Sequence, residues 1–276
     1  MLCVHSKIQI IIFIFVLKKK TFKVNHFYMK ILVCISHVPD TTSKINFTDN
    51  DTKFDTNGVQ YVINPNDEFG LTRAMWFKEK QGASVDVVNV GGPETEPTLR
   101  KALAIGADSA IRVNTPATDG YAVAKQLAKV VNDGGYDLVI AGRESIDYNG
   151  NMVPGMLAAM IDANFVTNCI SLEVDGTSAK ATREIDGGKE TVSTSLPLVI
   201  GGQKGLVEES DLRIPNMRGI MMARKKPLSV VEPTDANAET NVVGFEKPAP
   251  KGAVKLVDAD NIDELVSLLH NEAKVI

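Results

Sequence analysis

The chain is poor in the residues that staple small secreted proteins or build metal centres. Its 276 residues include 3 cysteines, at positions 3, 34 and 169, which form no CxxC pair and no even disulfide framework. That count fits a reducing, cytoplasmic setting and excludes a disulfide-stapled miniprotein or a zinc ribbon. Histidine is almost as scarce. His5 and His26 precede Met29, His270 lies near the carboxyl end, and only His37 falls near a strand end. Basic charge is not in excess either, because 30 Lys and Arg face 34 Asp and Glu for a net charge of −4. Such a balance gives no general grip on nucleic acid or on an anionic lipid surface. The one long apolar run, residues 8–17, is half the length of about 20 residues that a membrane-spanning helix needs, so no stable membrane insertion is expected. GxSxG, HExxH, Walker and GxGxxG patterns are all absent, which removes the common hydrolytic, zinc and dinucleotide signatures.

Lys18, Lys19, Lys20 and Lys23 come after the apolar run, whereas a signal peptide carries its charge mainly ahead of it and small residues behind. Met29-Lys30-Ile31-Leu32-Val33, in contrast, reads as the ordinary start of an α/β protein. Translation is therefore expected to begin at Met29, with residues 1–28 outside the fold. Removing that segment would take away five lysines and no carboxylate, leaving a distinctly acidic chain.

From Met29 onward, β-rich runs alternate with helical patterns. Residues 31–38 read as a continuous apolar run, expected of a strand buried on both faces of a parallel sheet, and residues 85–90, 110–113, 137–141 and 198–201 read as further strands. Helices are expected over 65–81, 95–105, 119–132 and 154–161, with Gly82 and Gly106 as stop signals. In the third, Val123, Leu127, Val130 and Val131 share a stripe opposite Lys125, Gln126 and Lys129. Repeated βαβ units of this size imply a doubly wound, mostly parallel sheet with helices on both faces. Residues 170–174, 179–184 and 190–195 alternate instead, with Asp175-Gly176 and Asp186-Gly187-Gly188 as turns, so antiparallel hairpins are attached. The division expected is a nucleotide-binding α/β domain over 29–230 and an arm over 231–276. That arm has no period until an amphipathic helix capped by Asp260, with Ile262, Leu265, Val266 and Leu269 on one face. Such a helix can fold back on its own domain or dock on another chain.

Ligands of an open α/β sheet bind beyond the carboxyl ends of its strands. Three loops leave such ends: residues 36–40, Gly91-Gly92-Pro93, and Gly142-Arg143-Glu144-Ser145-Ile146-Asp147-Tyr148-Asn149-Gly150-Asn151-Met152-Val153. The last is polar, carries glycine and runs into a helix opened by Pro154, so unpaired N–H groups and a positive dipole end point at whatever sits there. Spacing alone fits an ordinary βα loop with an N-cap better than a nucleotide site. A nucleotide-hydrolysing or nucleotide-sensing α/β protein is the alternative class. It would need a positioned base or lysine, and this loop offers only Arg143, Glu144 and Asp147. Cys34, inside a strand, reads as a small core residue and not a nucleophile, and Met75-Trp76-Phe77 reads as core packing. A second stretch, residues 213–227, places Met217 among Arg218, Arg224, Lys225 and Lys226 on what reads as a loop. An apolar anchor ringed by basic groups suits protein docking, as it equally suits a solvated face.

The chain resembles the β subunit of electron transfer flavoprotein over essentially all of residues 29–276. Residues 181–200, Ala-Thr-Arg-Glu-Ile-Asp-Gly-Gly-Lys-Glu-Thr-Val-Ser-Thr-Ser-Leu-Pro-Leu-Val-Ile, look like that family's signature, with Gly201 standing where Thr, Ala, Cys or Ser is usual. The start at residues 31–40, Asn64-Pro65, residues 102–108 and Arg218-Gly219-Ile220-Met221 fit too. The resemblance implies an electron carrier, not an enzyme with its own catalytic residues. It implies a heterodimer with an α subunit, FAD shared between the two, and an adenine nucleotide buried in the β subunit. That nucleotide, AMP or a second FAD, would lie against Cys34, Asn64, Pro65, Asn66, Asp67, Val90 and residues 142–153. Gly150 and Met152 replace the Thr and Gln usual in electron-bifurcating members and favour AMP, whereas Val38-Pro39-Asp40-Thr41 looks like the bifurcating group. By the same resemblance, Met217 is the anchor that enters an acyl-CoA dehydrogenase-type donor, and residues 231–276 dock on the partner subunit.

Overall fold

The computed structural model describes residues 28–235, 237–250 and 252–276. Apart from Tyr28, the expectation for residues 1–28 lies outside the described residues. The chain separates into two units. One holds the residues up to Lys44 together with Thr56–Asn241, and the other holds Ile45–Asp55 with Val242–Ile276.

In chain order, β1 (Lys30–Cys34) and β2 (His37–Pro39) are followed by the short β3 (Phe47–Thr48) and β4 (Lys53–Phe54). β5 (Tyr61–Ile63) leads into α1 (Pro65–Gln81), β6 (Ser84–Val90), α2 (Glu96–Ile105), β7 (Ser109–Val113), α3 (Gly120–Gly134), β8 (Leu138–Gly142) and α4 (Val153–Met160). Then come β9 (Asn164–Asp175), β10 (Ser178–Ile185), β11 (Gly188–Ser195), β12 (Leu198–Gly202), α5 (Met217–Ala223), β13 (Leu228–Val231) and α6 (Ile262–Ser267).

The main sheet runs β11-β10-β9-β12-β8-β1-β6-β7-β13. Every neighbouring pair from β9 to β13 in that order is parallel, and β9-β10-β11 form the antiparallel extension. The fold is thus the α/β architecture the pattern implies. From β1 the chain steps outward through β6 and β7, then returns to lay β8 on the other side of β1. The winding reverses between β1 and β8, and the crevice beyond their carboxyl ends is the switch point.

The continuous apolar runs have a direct packing cause. Ile31 and Val33 of β1 face the layer formed by α1 and α2, with Leu71, Met75, Phe77, Leu99 and Leu103. Leu32 and Cys34 face the opposite layer, where Leu127, Val131 and Leu157 of α3 and α4 pack. A strand covered on both faces has no polar alternation to show. Met75 and Phe77 are buried in the first layer, so that cluster is core.

The helix ends follow local chemistry. α1 opens with Pro65, carries Asp67 and Glu68 in its first turn and Lys78 and Lys80 in its last, and ends at Gly82 in the left-handed region at φ 72°. Asp119 caps α3 by accepting from the Ala122 N–H, and Gly135 closes it at φ 61°.

Several boundaries depart from the sequence reading. Residues 31–38 are not one strand: β1 stops at Cys34, and β2 turns off to pair antiparallel with β5. The break falls where the Ser36 N–H is taken by a side-chain carboxylate in place of a ladder carbonyl. Residues 217–223 are helical, because Asn216 caps them by accepting from the Gly219 N–H at 2.8 Å. β13, absent from the sequence reading, adds a parallel strand beside β7. In the second unit, α6 is capped by Asn261, whose Oδ1 accepts from Glu264, and not by Asp260. There the β3–β4 hairpin meets the arm through Phe47, stacked on Phe245 with ring centres 4.8 Å apart.

Ile140 is fully buried in the central strand β8. Ile140→Ala is expected to lower stability by about 2–5 kcal/mol, read as a lower urea midpoint with an unchanged denaturant slope.

Candidate functional site

The switch-point crevice is built by the first turn of α1 and the loop after β8. Asn64 occupies the N-cap position of α1 and is fully buried, yet its side chain does not cap that helix. It reaches across to the β8 loop, where Nδ2 donates to the Glu144 carbonyl at 3.0 Å and Oδ1 accepts from the Ile146 N–H at 3.2 Å. Asn66 donates to the same carbonyl at 3.1 Å. One turn on, Asp67 is 3% exposed and both of its oxygens are engaged. Oδ2 accepts from the Ser36 N–H at 2.7 Å, and Oδ1 accepts from the Gly142 N–H at 2.8 Å. The carboxyl ends of β1 and β8 are therefore tied to one another through α1.

Burial holds the Asp67 carboxyl up, at about 7, against the hydrogen bonds from Ser36, Asn64 and Gly142 that pull it down. Burial likewise pushes the Cys34 thiol far above its ordinary range, with the Asp67 carboxylate adding to the effect. Cys34 is accordingly no thiolate nucleophile, as its strand position implies. Val90 ends β6 on the same buried layer as Cys34. Gly142 has no room for a side chain: a Cβ there would sit 2.3 Å from Asp67 Oδ1 and 2.8 Å from Asn66 Cβ.

Beyond Gly142 the loop turns on asparagine. Asn149 and Asn151 adopt φ of 48° and 45°, a region that Asn tolerates better than other side chains, and the Asn149 N–H returns to the Ser145 carbonyl at 2.8 Å. Left-handed residues thus flank Gly150, and the loop delivers the chain into the N-terminus of α4. Pro154 opens that helix without an N–H of its own. Met152 lies over the start of α3, where a Cβ on Gly120 would meet its sulfur at 2.6 Å. Tyr148 and Met152 are exposed on the rim. Arg143 and Glu144 pair with each other, Arg143 Nη2 lying 2.5 Å from Glu144 Oε1.

Sequence reasoning missed one feature of this rim. His37 stacks on Tyr61 with ring centres 4.3 Å apart and planes within 6°, and its Nδ1 is 2.8 Å from Thr98 Oγ1. Burial lowers its pKa, while the Glu94 and Asp147 carboxylates act in the opposite direction. Tyr61 sits on a three-residue strand, too short to show a period. Its pairing with His37 is a consequence of β2 leaving the main sheet.

The basic and methionine-rich segment forms a separate surface. Gly219 lets α5 lie directly on α2, since a Cβ there would be 2.3 Å from the Ala104 carbonyl oxygen. Arg100 donates to the carbonyls of Ala223 and Lys226 at 2.8 Å each, closing the end of α5. Held this way, the helix turns Met217, Met221 and Met222 to solvent, Met217 at 75% exposure. Arg218, Arg224 and Lys225 are exposed beside them. Lys226 points the other way, its Nζ donating to the carbonyls of Leu103 and Ala107, so its ammonium belongs to the end of α2 and not to the outer surface.

The crevice's donors are backbone amides, a helix N-terminus and buried side-chain amides. That set fits a phosphate-bearing nucleotide better than a metal, and among the described residues no group of His, Cys, Asp and Glu is arranged to hold one. Among the same residues no helix is long and apolar enough to cross a membrane.

Residues 51–236 match the family model described as Electron transfer flavoprotein domain. The chain belongs to the electron transfer flavoprotein family. It is 37% identical over 262 residues to the electron transfer flavoprotein subunit beta of Bacillus subtilis, covering 90% of this chain and 100% of that protein. The subunit beta of Bradyrhizobium diazoefficiens is 36% identical over 257 residues, covering 90% of this chain and 100% of its own length. The human subunit beta is 31% identical over 257 residues, with 90% and 99% covered. The chain is accordingly an electron transfer flavoprotein subunit of the β type. Residues 181–200, which look like the family's signature, lie on β10, β11 and β12 and the turns between them. There Thr182 Oγ1 and Thr191 Oγ1 are 3.0 Å apart, and Arg183 pairs with Glu190 at 2.7 Å.

Gly142→Ala is expected to cost about 1–3 kcal/mol of stability, because the methyl group collides with the Asp67 carboxylate. Gly150→Ala meets only the flexible end of Met152 and is expected to stay within about 0.5 kcal/mol. Urea unfolding midpoints of the two variants check the contrast.

Proposed function

We propose that this chain is the β half of a cytoplasmic heterodimeric electron transfer flavoprotein, whose switch-point crevice holds AMP and whose partner α subunit shares FAD with it. The observation that carries this reading is the tying of the β1 and β8 loops by Asn64 and Asp67, which fixes the loop of residues 142–153 and the start of α4 where an anion would be met. The adenosine end would lie toward Cys34, Val90 and Asn64, Pro65, Asn66 and Asp67, with the phosphate on the loop. Arg143 and Glu144 neutralise one another, so this loop lacks the positioned base or free cation a nucleotide hydrolase needs. Cys34 and Cys169 are free buried thiols, which supports a reducing compartment.

FAD, when bound, supplies the redox chemistry. The chain's own residues bind, orient and dock. Met217 on α5 serves as the apolar anchor for an acyl-CoA dehydrogenase-type donor, and Arg218, Arg224 and Lys225 steer an acidic partner surface toward it. The arm beyond β13 docks on the α subunit. Gly150 and Met152 favour AMP over a second FAD, because they leave the loop few side-chain hydrogen bonds to offer a larger dinucleotide. The turn at Asp40, whose Oδ1 accepts from the Thr42 N–H at 2.8 Å, belongs to the Val38-Pro39-Asp40-Thr41 segment that favours the bifurcating form.

Extracting and counting the nucleotides of the co-expressed heterodimer tests the reading. One FAD and one AMP per pair are expected; two flavins would favour bifurcation, and a colourless, nucleotide-free pair would overturn both. Met217→Ala is expected to slow dehydrogenase-dependent reduction about tenfold, a loss of about 1.4 kcal/mol of docking energy. Heterodimer and flavin content should remain intact, as checked by gel filtration and absorbance.

A further inference from the structure

Past β13, residues 232–235 and 237–241 are neither helix nor strand, so their backbone groups need partners from elsewhere. Two side chains of the α3 region supply them. Gln126 is 4% exposed in the middle of α3, although its place in the sequence reads as part of the polar face beside Lys125 and Lys129. Its carboxamide is given over to the arm: Nε2 donates to the Thr234 carbonyl and Oε1 accepts from the Thr234 N–H, both at 2.8 Å. The N–H and C=O of one residue are thus paired together, as in a sheet ladder. Only the side-chain amides of Asn and Gln present a donor and an acceptor side by side in that way.

At the start of α3, Asp119 serves two segments at once. Oδ1 caps the helix by accepting from the Ala122 N–H at 2.8 Å. Oδ2 accepts from the Glu239 and Thr240 N–H groups at 2.7 and 2.9 Å, and lies 3.3 Å from the Thr240 hydroxyl. These donors, Ala122 first and then Thr240 and Glu239, hold its carboxyl below the ordinary carboxylate range. Thr240, the last residue fastened, stands next to Asn241, where the first unit ends. Beyond that point the chain changes character, with Val242, Val243, Val254 and Leu256 all exposed. Apolar side chains turned outward on an irregular arm suit burial against another chain.

We propose that Asp119 and Gln126 are positioning residues for heterodimer assembly: they fasten the arm to α3 at Thr234, Glu239 and Thr240, so that its docking span begins at Val242 and is offered to the α subunit from a fixed point. This rests on the reading of the arm as the segment that docks on that subunit. An arm root held before the encounter has already lost its conformational freedom, so ordering it no longer opposes binding. With the root loosened, binding must order it, and the dissociation constant rises. Two substitutions separate this role from the folding of α3. Asparagine caps a helix as well as aspartate does, so Asp119→Asn keeps the bond from Ala122 while turning an amide N–H toward the Glu239 and Thr240 N–H groups. Gln126→Met roughly keeps the volume and removes both bonds to Thr234.

The test is residue-resolved hydrogen exchange of the full chain, followed by dilution of the co-expressed heterodimer. Asp119→Asn is expected to speed exchange of the Glu239 and Thr240 amides about tenfold while the Ala122 amide keeps its protection. Gln126→Met should do the same at the Thr234 amide alone. The double variant should dissociate from the α subunit with a constant raised about tenfold, its urea midpoint close to that of the wild type. Unchanged exchange at these amides would overturn the anchor. Faster exchange with wild-type heterodimer affinity would overturn its part in assembly. Should one variant not fold, the other carries both measurements. If residues 242–276 of the wild type exchange equally with and without the α subunit, the docking reading itself fails, and the proposal falls with it even where the anchor is present.

Discussion

A parallel sheet leaves backbone N–H groups without ladder partners where its strands end, and in this protein two of them meet at the place where the winding reverses. The Asp67 carboxylate accepts the Ser36 and Gly142 amides together, and Asn64 beside it secures the following turn of the β8 loop. Much else at this edge follows from that tie. It stops β1 at Cys34, sends β2 away to pair with β5, requires glycine at 142, and fixes where the loop of residues 142–153 starts. A buried charge held by dipoles alone is costly, and such costs persist where the surroundings over-determine the group and where function uses it.

The same economy of charge marks the loop itself. Its one arginine pairs with the adjacent glutamate, and the other donors at this end are amides and a helix N-terminus. The same α/β architecture serves electron-transfer subunits and hydrolases alike, so the side chains at this loop, and not the fold, carry the distinction.

The methionine-rich end is organised by steric closeness. Gly219 allows α5 to touch the Ala104 carbonyl, Arg100 closes its end, and the methionines face outward because the inner side is occupied. Lys226, which reads as part of the same basic cluster, is drawn inward by the unpaired carbonyls at the end of α2. A linear cluster of like residues was thus divided between exposed surface and helix terminus by which carbonyls lay within reach.

The sequence by itself determined the layered α/β architecture. Burial on both faces leaves continuous apolar runs, amphipathic stripes mark α3, and Pro65, Gly82 and Asp119 act through neighbours a few residues away. The strand-end loops were legible for the same reason. What only the tertiary structure decided are the relations between distant residues: the position of β8 and β12 beside β1, the His37–Tyr61 stack, the short β5 and β13, and the reach of Asp67 to residues 31 and 75 positions away. No local pattern encodes these. A buried carboxylate looks in the sequence like any acidic residue in the first turn of a helix, and its surroundings exist only once strands far apart along the chain end side by side.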